Sequence, residues 1–263
     1  MATAFQALVC GHPPTYARQA ADAAFRELDR LELEFSRFIE SSDIGRINRL
    51  AMHGATRIGD DTFQCLLNAM QISALTDQAF DPAYLSSPGA PAHETLLALD
   101  LATHTVTSLI PRLTLDLGAV GKGYALDRMA EVLREWDLDH FCLQSGGSTV
   151  LGSSPATDPA AAWPVAIGGH TLRLSNQSAS ASGITVQGTH IVDPPRAAAA
   201  TRTRRTWAFA PSAAESDALS TAFFVMSDAE ITTFCAHHHG LGAAIMQADE
   251  TVRFCGVFPA FMD

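Results

Sequence analysis

Asp217 and Thr221 stand four residues apart in the segment SDALSTAFF, residues 216–224. On a helix that spacing puts two oxygen-bearing side chains on one face. A carboxylate beside a hydroxyl suits Mg2+, which takes oxygen ligands and shares them with substrate phosphates. The same pair also suits a helix start at Ser216, where an aspartate offsets the macrodipole and a threonine is tolerated. A second candidate is LDLGAVGKGYALD, residues 115–127, which runs into a turn with three glycines and sets Lys122 at the mouth of a helix. Glycines let backbone amides approach a ligand, and a helix N-terminus with an ammonium beside it attracts phosphate. The loop is not a Walker A motif, because Gly123 follows Lys122 where Ser or Thr is required. An ordinary strand–turn–helix corner would have the same composition.

Three further segments carry weaker signals. In THIVDPP, residues 189–195, His190 is a candidate general base for a hydroxyl, or else a structural histidine at a strand edge. In AFDPAYL, residues 79–85, Asp81 precedes a proline and either binds a ligand or holds a turn. In FSRFIESSDIGRIN, residues 35–48, Phe38 either stacks on a flat ring or belongs to the core. The run His237-His238-His239 cannot share one helical face, so it is read as a helix end rather than a metal site.

These residues need elements to hold them. Residues 3–10 read as a strand. Ala21, Phe25, Leu28, Leu31 and Phe35 recur at helical steps within 16–38. Asp61 or Thr62 is placed to cap a helix reaching Leu75, and LTLDL, residues 113–117, reads as a buried strand. Tyr124 to Trp136 has helical spacing, FCLQS reads as a strand stopped by Gly146-Gly147, and WPVAIGG with HTLRLS as a strand pair. Residues 194–205 read as a basic loop, 216–227 and 228–239 as helices, and GAAIMQADETVRFCGV as a hairpin. Strands and helices mix without regular βαβ alternation, which predicts an α+β fold with mixed or antiparallel sheets packed with helices.

Composition narrows the function. The 263 residues are 47% hydrophobic and 17% charged. They suffice for one domain over 1–263, built as a single unit or as two closely joined lobes. A net charge of −11 and a pI near 5.3 argue against a nucleic-acid binder. Cys10, Cys65, Cys142, Cys235 and Cys255 are scattered, without a CxxC pair, which predicts reduced thiols. No segment has the length of a membrane span. The opening MATAFQALVCG lacks a basic n-region, so the expected location is cytoplasmic, and periplasmic only if the N-terminus is trimmed.

The order of the segments says more than any one of them. FSRF…SDIGRIN, AFDP, LDLGAVGKGYALD, QSGG, SASASG, HIVDP and SDALSTAFFVM, taken in sequence, resemble the ApbE-type flavin transferase family across nearly the whole chain. The resemblance implies an FAD site in a cleft between two lobes. It implies Mg2+ held by the Ala119 carbonyl with the side chains of Asp217 and Thr221. FAD contacts would fall on Met1, Phe38, Ala79, Phe80, Asp81, Asp116, Lys122 and Val192, and His190 matches the family's candidate base. The implied reaction moves the FMN half of FAD onto a threonine of an acceptor protein and releases AMP. Water in place of threonine would make the same site an FAD pyrophosphatase, and loss of turnover would leave an FAD-binding protein. AFDP is followed here by Ala83-Tyr84, and the stretch between SASASG and HIVDP is short, departures that bear on acceptor recognition.

Overall fold

The computed structural model describes residues 3–86, 95–183, 192–193, 198–199 and 205–262. In chain order the elements begin β1 (Phe5–Val9), α1 (Pro14–Phe35), α2 (Asp43–Ile47), β2 (Ala55–Arg57), α3 (Asp60–Leu75), β3 (Leu97–Asp100), β4 (Thr105–Ser108) and α4 (Gly121–Glu135). There follow β5 (Phe141–Ser145), β6 (Thr149–Ser153), β7 (Trp163–Ile167), β8 (His170–Leu174), β9 (Gln177–Gly183), β10 (Val192–Asp193) and β11 (Ala198–Ala199). The chain closes with β12 (Arg205–Ala210), α5 (Ala213–Val225), α6 (Asp228–His237), β13 (Gly242–Met246), β14 (Val252–Gly256) and β15 (Ala260–Phe261).

The largest sheet among the described residues has seven strands in the order β1-β5-β6-β9-β12-β13-β14, each antiparallel to its neighbours. This is the expected α+β class with antiparallel sheets. The period-two alternation of β9 and β12 explains how the sheet separates two cores. Ser178, Ser180 and Ser182 of β9 turn to α5, while Ala179 and Ala181 join Trp207, Phe209, Ile167, Leu172 and Leu174 in a smaller cluster. The β7–β8 hairpin, paired as its sequence suggests, covers that second face. On the helix side α5 packs against β9 and β12, α4 packs against α5, and α1 packs against α4.

Several boundaries differ from expectation. α1 starts on Pro14 and ends at Phe35, where Ser36 turns extended, so Arg37 and Phe38 lie in a turn rather than on the helix. Its buried face is Ala20, Ala24, Leu28, Leu31 and Phe35, one residue away from Ala21 and Phe25. α3 begins at Asp60 with Gly59 in the capping position, ahead of Asp61 and Thr62. α4 begins at Gly121, so Lys122 and Gly123 belong to its first turn. α5 begins at Ala213 and is capped by Ser212, which accepts from Glu215 N at 3.1 Å, so Ser216 is interior and fully buried.

Residues 113–117 are not a ladder strand. Their expected burial holds at Leu113, Leu115 and Leu117. Their backbone, however, bonds to other partners. Asn48 bonds Leu115 through both its amide atoms, at 2.7 and 3.0 Å. Asp116 N donates to Pro82 O, and Thr114 N to Ser86 Oγ. The extended stretch therefore satisfies its polar groups from a helix end and a loop.

Candidate functional site

Asp217 lies past the first turn of α5 and is 3% exposed. Dipole compensation at a helix start therefore does not explain it. Its Oδ1 accepts from Thr149 Oγ1 at 3.1 Å and from Ser180 Oγ at 3.4 Å. Its Oδ2 accepts from Gly123 N at 3.2 Å and stands 3.2 Å from Lys122 Nζ. Four elements thus converge on one buried carboxylate: β6, β9, α4 and α5. Thr221, one turn further on, lies half-buried with Oγ1 3.5 Å from the Asp217 carbonyl. The Ala119 carbonyl belongs to the turn immediately before α4.

Gly123 is what allows α4 to come this close. A Cβ at that position would overlap the Ala213 carbonyl and stand 2.8 Å from Ala214 Cα. In the other direction Asp127 of α4 accepts from Ala213 N at 2.7 Å and Ala214 N at 2.9 Å, closing the start of α5. Burial pushes the Asp127 carboxyl up to about 6, against the pull of those two amides.

The site continues away from Asp217. Lys122 Nζ also donates to the Gly118 carbonyl, and Gly118 N donates to Asp116 Oδ1 at 2.8 Å. Asp116 Oδ2 faces Arg37 Nε at 3.4 Å, and Tyr84 lies beside the same carboxylate. Burial first, then the Asp116 charge, pushes the Tyr84 phenol up. The Arg37 guanidinium lies 4.7 Å from the centre of the Phe38 ring, which is 81% exposed. An exposed aromatic face, an arginine, a carboxylate, a glycine turn, a lysine and a buried carboxylate therefore form one connected strip.

The residues singled out from sequence divide accordingly. Phe38, Asp116, Lys122 and Asp217 fall along the strip, with Thr221 beside Asp217. Asp81 holds a turn, its Oδ1 accepting from Ala83 N at 2.8 Å, and burial pushes its carboxyl up. Ala79 and Phe80 lie in the core, 8% and 3% exposed. Val192 is described as strand backbone, paired with Ala199. Met1 and His190 lie outside the described residues. Sequence reading missed Thr149, Ser180, Arg37 and Tyr84. The strict Ser–Ala alternation of QSASASG was a usable signal for Ser180, since a period of two sends every serine to one face.

No three His, Cys, Asp or Glu side chains among the described residues form a metal cluster. The candidate donors are instead one carboxylate, one hydroxyl and one carbonyl. Nor is any helix among them long and apolar enough to cross a membrane.

The sequence profile of the ApbE family, compared with this chain, matches residues 1–245. The chain belongs to the ApbE family. A relative from Chlamydia muridarum, named FAD:protein FMN transferase, is 25% identical to this ApbE-family chain over 209 residues. That alignment takes in 68% of this chain and 64% of the relative, so the chain spans under two thirds of the relative's length. Among solved structures, the flavin transferase ApbE of Vibrio cholerae matches with a TM-score of 0.80 at 15% identity, covering 99% of this chain and 94% of that one. The ApbE protein of Thermotoga maritima matches with a TM-score of 0.78 at 21% identity, covering 96% and 94%. At these identities the solved structures establish the shared fold.

Proposed function

We propose that this ApbE-family chain transfers the FMN moiety of FAD to a threonine hydroxyl of an acceptor protein, releasing AMP, with Mg2+ as the assisting cation. The observation that carries this reading is the buried Lys122–Asp217 pair at the start of α4, joined through Gly118 and Asp116 to the exposed ring of Phe38. A dinucleotide needs such a strip, with positive charge and helix amides for its pyrophosphate and an aromatic face for a ring.

The donor set fits a hard divalent cation. Asp217, Thr221 and the Ala119 carbonyl offer oxygen alone, and a positive charge already sits 3.2 Å from Asp217 Oδ2 in the form of Lys122 Nζ. When bound, Mg2+ draws charge from the pyrophosphate and stabilises the departing AMP. The remaining work falls to this chain's own residues. Lys122 and the first-turn amides of α4 neutralise and orient phosphate oxygens. Phe38 offers its exposed ring to the flavin, with the Arg37 guanidinium 4.7 Å from the centre of the phenyl ring. His190 takes the threonine proton as the Thr Oγ–P bond to the FMN phosphate forms and the P–O bond to AMP breaks. The name of the Chlamydia muridarum relative supports this reading.

The test is an incubation of the full chain with FAD, with and without Mg2+, alone and with a threonine-bearing acceptor peptide. The reading expects Mg2+-dependent AMP release with flavin on the peptide. AMP with free FMN alone would make it a pyrophosphatase, and FAD unchanged in every tube would rule out hydrolysis and leave a flavin-binding protein or a transferase strictly specific for another acceptor.

A further inference from the structure

Asp217 already has a cation. Lys122 Nζ stands 3.2 Å from Oδ2, with the two side chains 13% and 4% exposed. Gly123 N bonds the same oxygen, and Thr149 and Ser180 take up Oδ1. The carboxylate thus has its neighbours supplied: two hydroxyls, one helix amide and one ammonium. Thr149 and Ser180 lie 2.9 Å apart, so whichever hydroxyl donates to Oδ1 can accept the proton of the other, and Oδ1 is held by a linked pair rather than by one free rotor. Lys122 has a second anchor in the Gly118 carbonyl, on the side leading to Asp116.

We propose that Lys122 is the resident counter-ion of Asp217, and that a divalent cation binds only by exchanging with it at Oδ2 while Thr149 and Ser180 keep Oδ1 fixed. The inference rests on Asp217 being the cation ligand, as read above. Two cations beside one buried carboxylate repel each other with little water to screen them. A carboxylate stripped of its ammonium, with no replacement, is equally unfavourable in that setting. The exchange resolves both problems when the freed ammonium finds another anion. Its remaining anchor, Gly118, directs it toward the turn where a phosphate would lie. Cation binding and phosphate binding are then coupled, each strengthening the other. Lys122 in this view is a gate on the cation site as well as a phosphate ligand.

The test uses Mn2+ as the probe and the full chain without FAD, with bound ion followed through the electron paramagnetic resonance signal of free Mn2+. Lys122→Met removes the competing charge and should bind Mn2+ about tenfold more tightly than the wild type, or better. It should also melt lower than the wild type without metal and recover when Mn2+ is added. Lys122→Arg keeps the charge and should bind no more tightly than the wild type. Lys122→Gln, which retains a donor for Gly118, serves if the methionine variant does not fold. A folded neutral variant that binds Mn2+ no better than the wild type overturns the exchange and leaves Asp217 as a ligand. If neither wild type nor variant binds Mn2+, with or without FAD, the reading of Asp217 as a cation ligand fails, and the exchange with it.

Discussion

Asp127 of α4 and Asp217 of α5 each accept hydrogen bonds from the first turn of the other's helix. Asp127 takes Ala213 N and Ala214 N at 2.7 and 2.9 Å, and Asp217 takes Gly123 N at 3.2 Å. Each helix start thereby gains a carboxylate for its unpaired amides and its positive dipole end. The two N-termini are locked together where Lys122 emerges. The site is therefore built on helix ends held in register by charged groups.

Asp217→Asn should cost both stability and function. It leaves the Lys122 ammonium buried without a counter-charge and presents an amide N–H to other donors. Urea unfolding should show a loss of about 3 kcal/mol, and Mg2+-dependent FAD turnover should fall roughly 100-fold. Thr149→Val keeps the shape and deletes one hydrogen bond to Oδ1. Its cost should be about 1 kcal/mol, with a weaker loss of turnover.

Gly123→Ala should be severe for a residue carrying no chemistry. The added Cβ meets the Ala213 carbonyl and the Ala214 backbone, neither of which moves without separating α4 from α5. A destabilisation of about 3 kcal/mol or more is expected. Thermal unfolding measures it, and Gly118→Ala, whose Cβ would meet the Asp116 side chain, should be milder.

Asp127 should give stability a pH dependence of unusual sign for a carboxylate. Its folded pKa is raised to about 6, above its value in an unfolded chain. Between about pH 4 and 6 the folded state thus holds the proton more tightly than the unfolded one. Its contribution is full below that window and is lost as pH rises through about 6. The decline should be about 2 kcal/mol after allowance for its partial exposure. Asp127→Asn should lack it, which urea unfolding of both proteins at pH 4.5 and pH 7 would show.

Phe38 and Phe80 should separate binding from folding. Phe38 is 81% exposed and supports no core, so Phe38→Ala should leave the melting temperature unchanged while FAD binds about tenfold more weakly. Phe80 is 3% exposed, and Phe80→Ala should cost about 3–5 kcal/mol through the cavity it leaves. Flavin fluorescence titration and thermal unfolding on both variants give the comparison.

His190→Ala should spare FAD affinity and slow transfer to the acceptor, because a base acts on the threonine proton rather than on the flavin. Equal losses in FAD binding and transfer would instead make His190 a binding residue. The measurement is FAD titration alongside single-turnover transfer.

The sequence by itself determined which residue types could meet phosphate and a hard cation, the order of the segments that carry them, and the mixed antiparallel class. These depend on local periodicity and composition, which a chain shows without being folded. The β7–β8 and β13–β14 hairpins were legible for that reason, as was the burial of the leucines of residues 113–117. Tertiary structure alone decided what each group pairs with. Asn48 and Ser86 occupy the backbone of 113–117, so an alternating stretch never joins a sheet. Ser212 rather than Ser216 caps α5, because Asp127, 86 residues from Ala213, fixes where that helix begins. Thr149 and Ser180 reach Asp217 from strands 68 and 37 residues away. Such contacts come from strand order and helix approach, long-range choices governed by burial and close packing, and no local pattern encodes them.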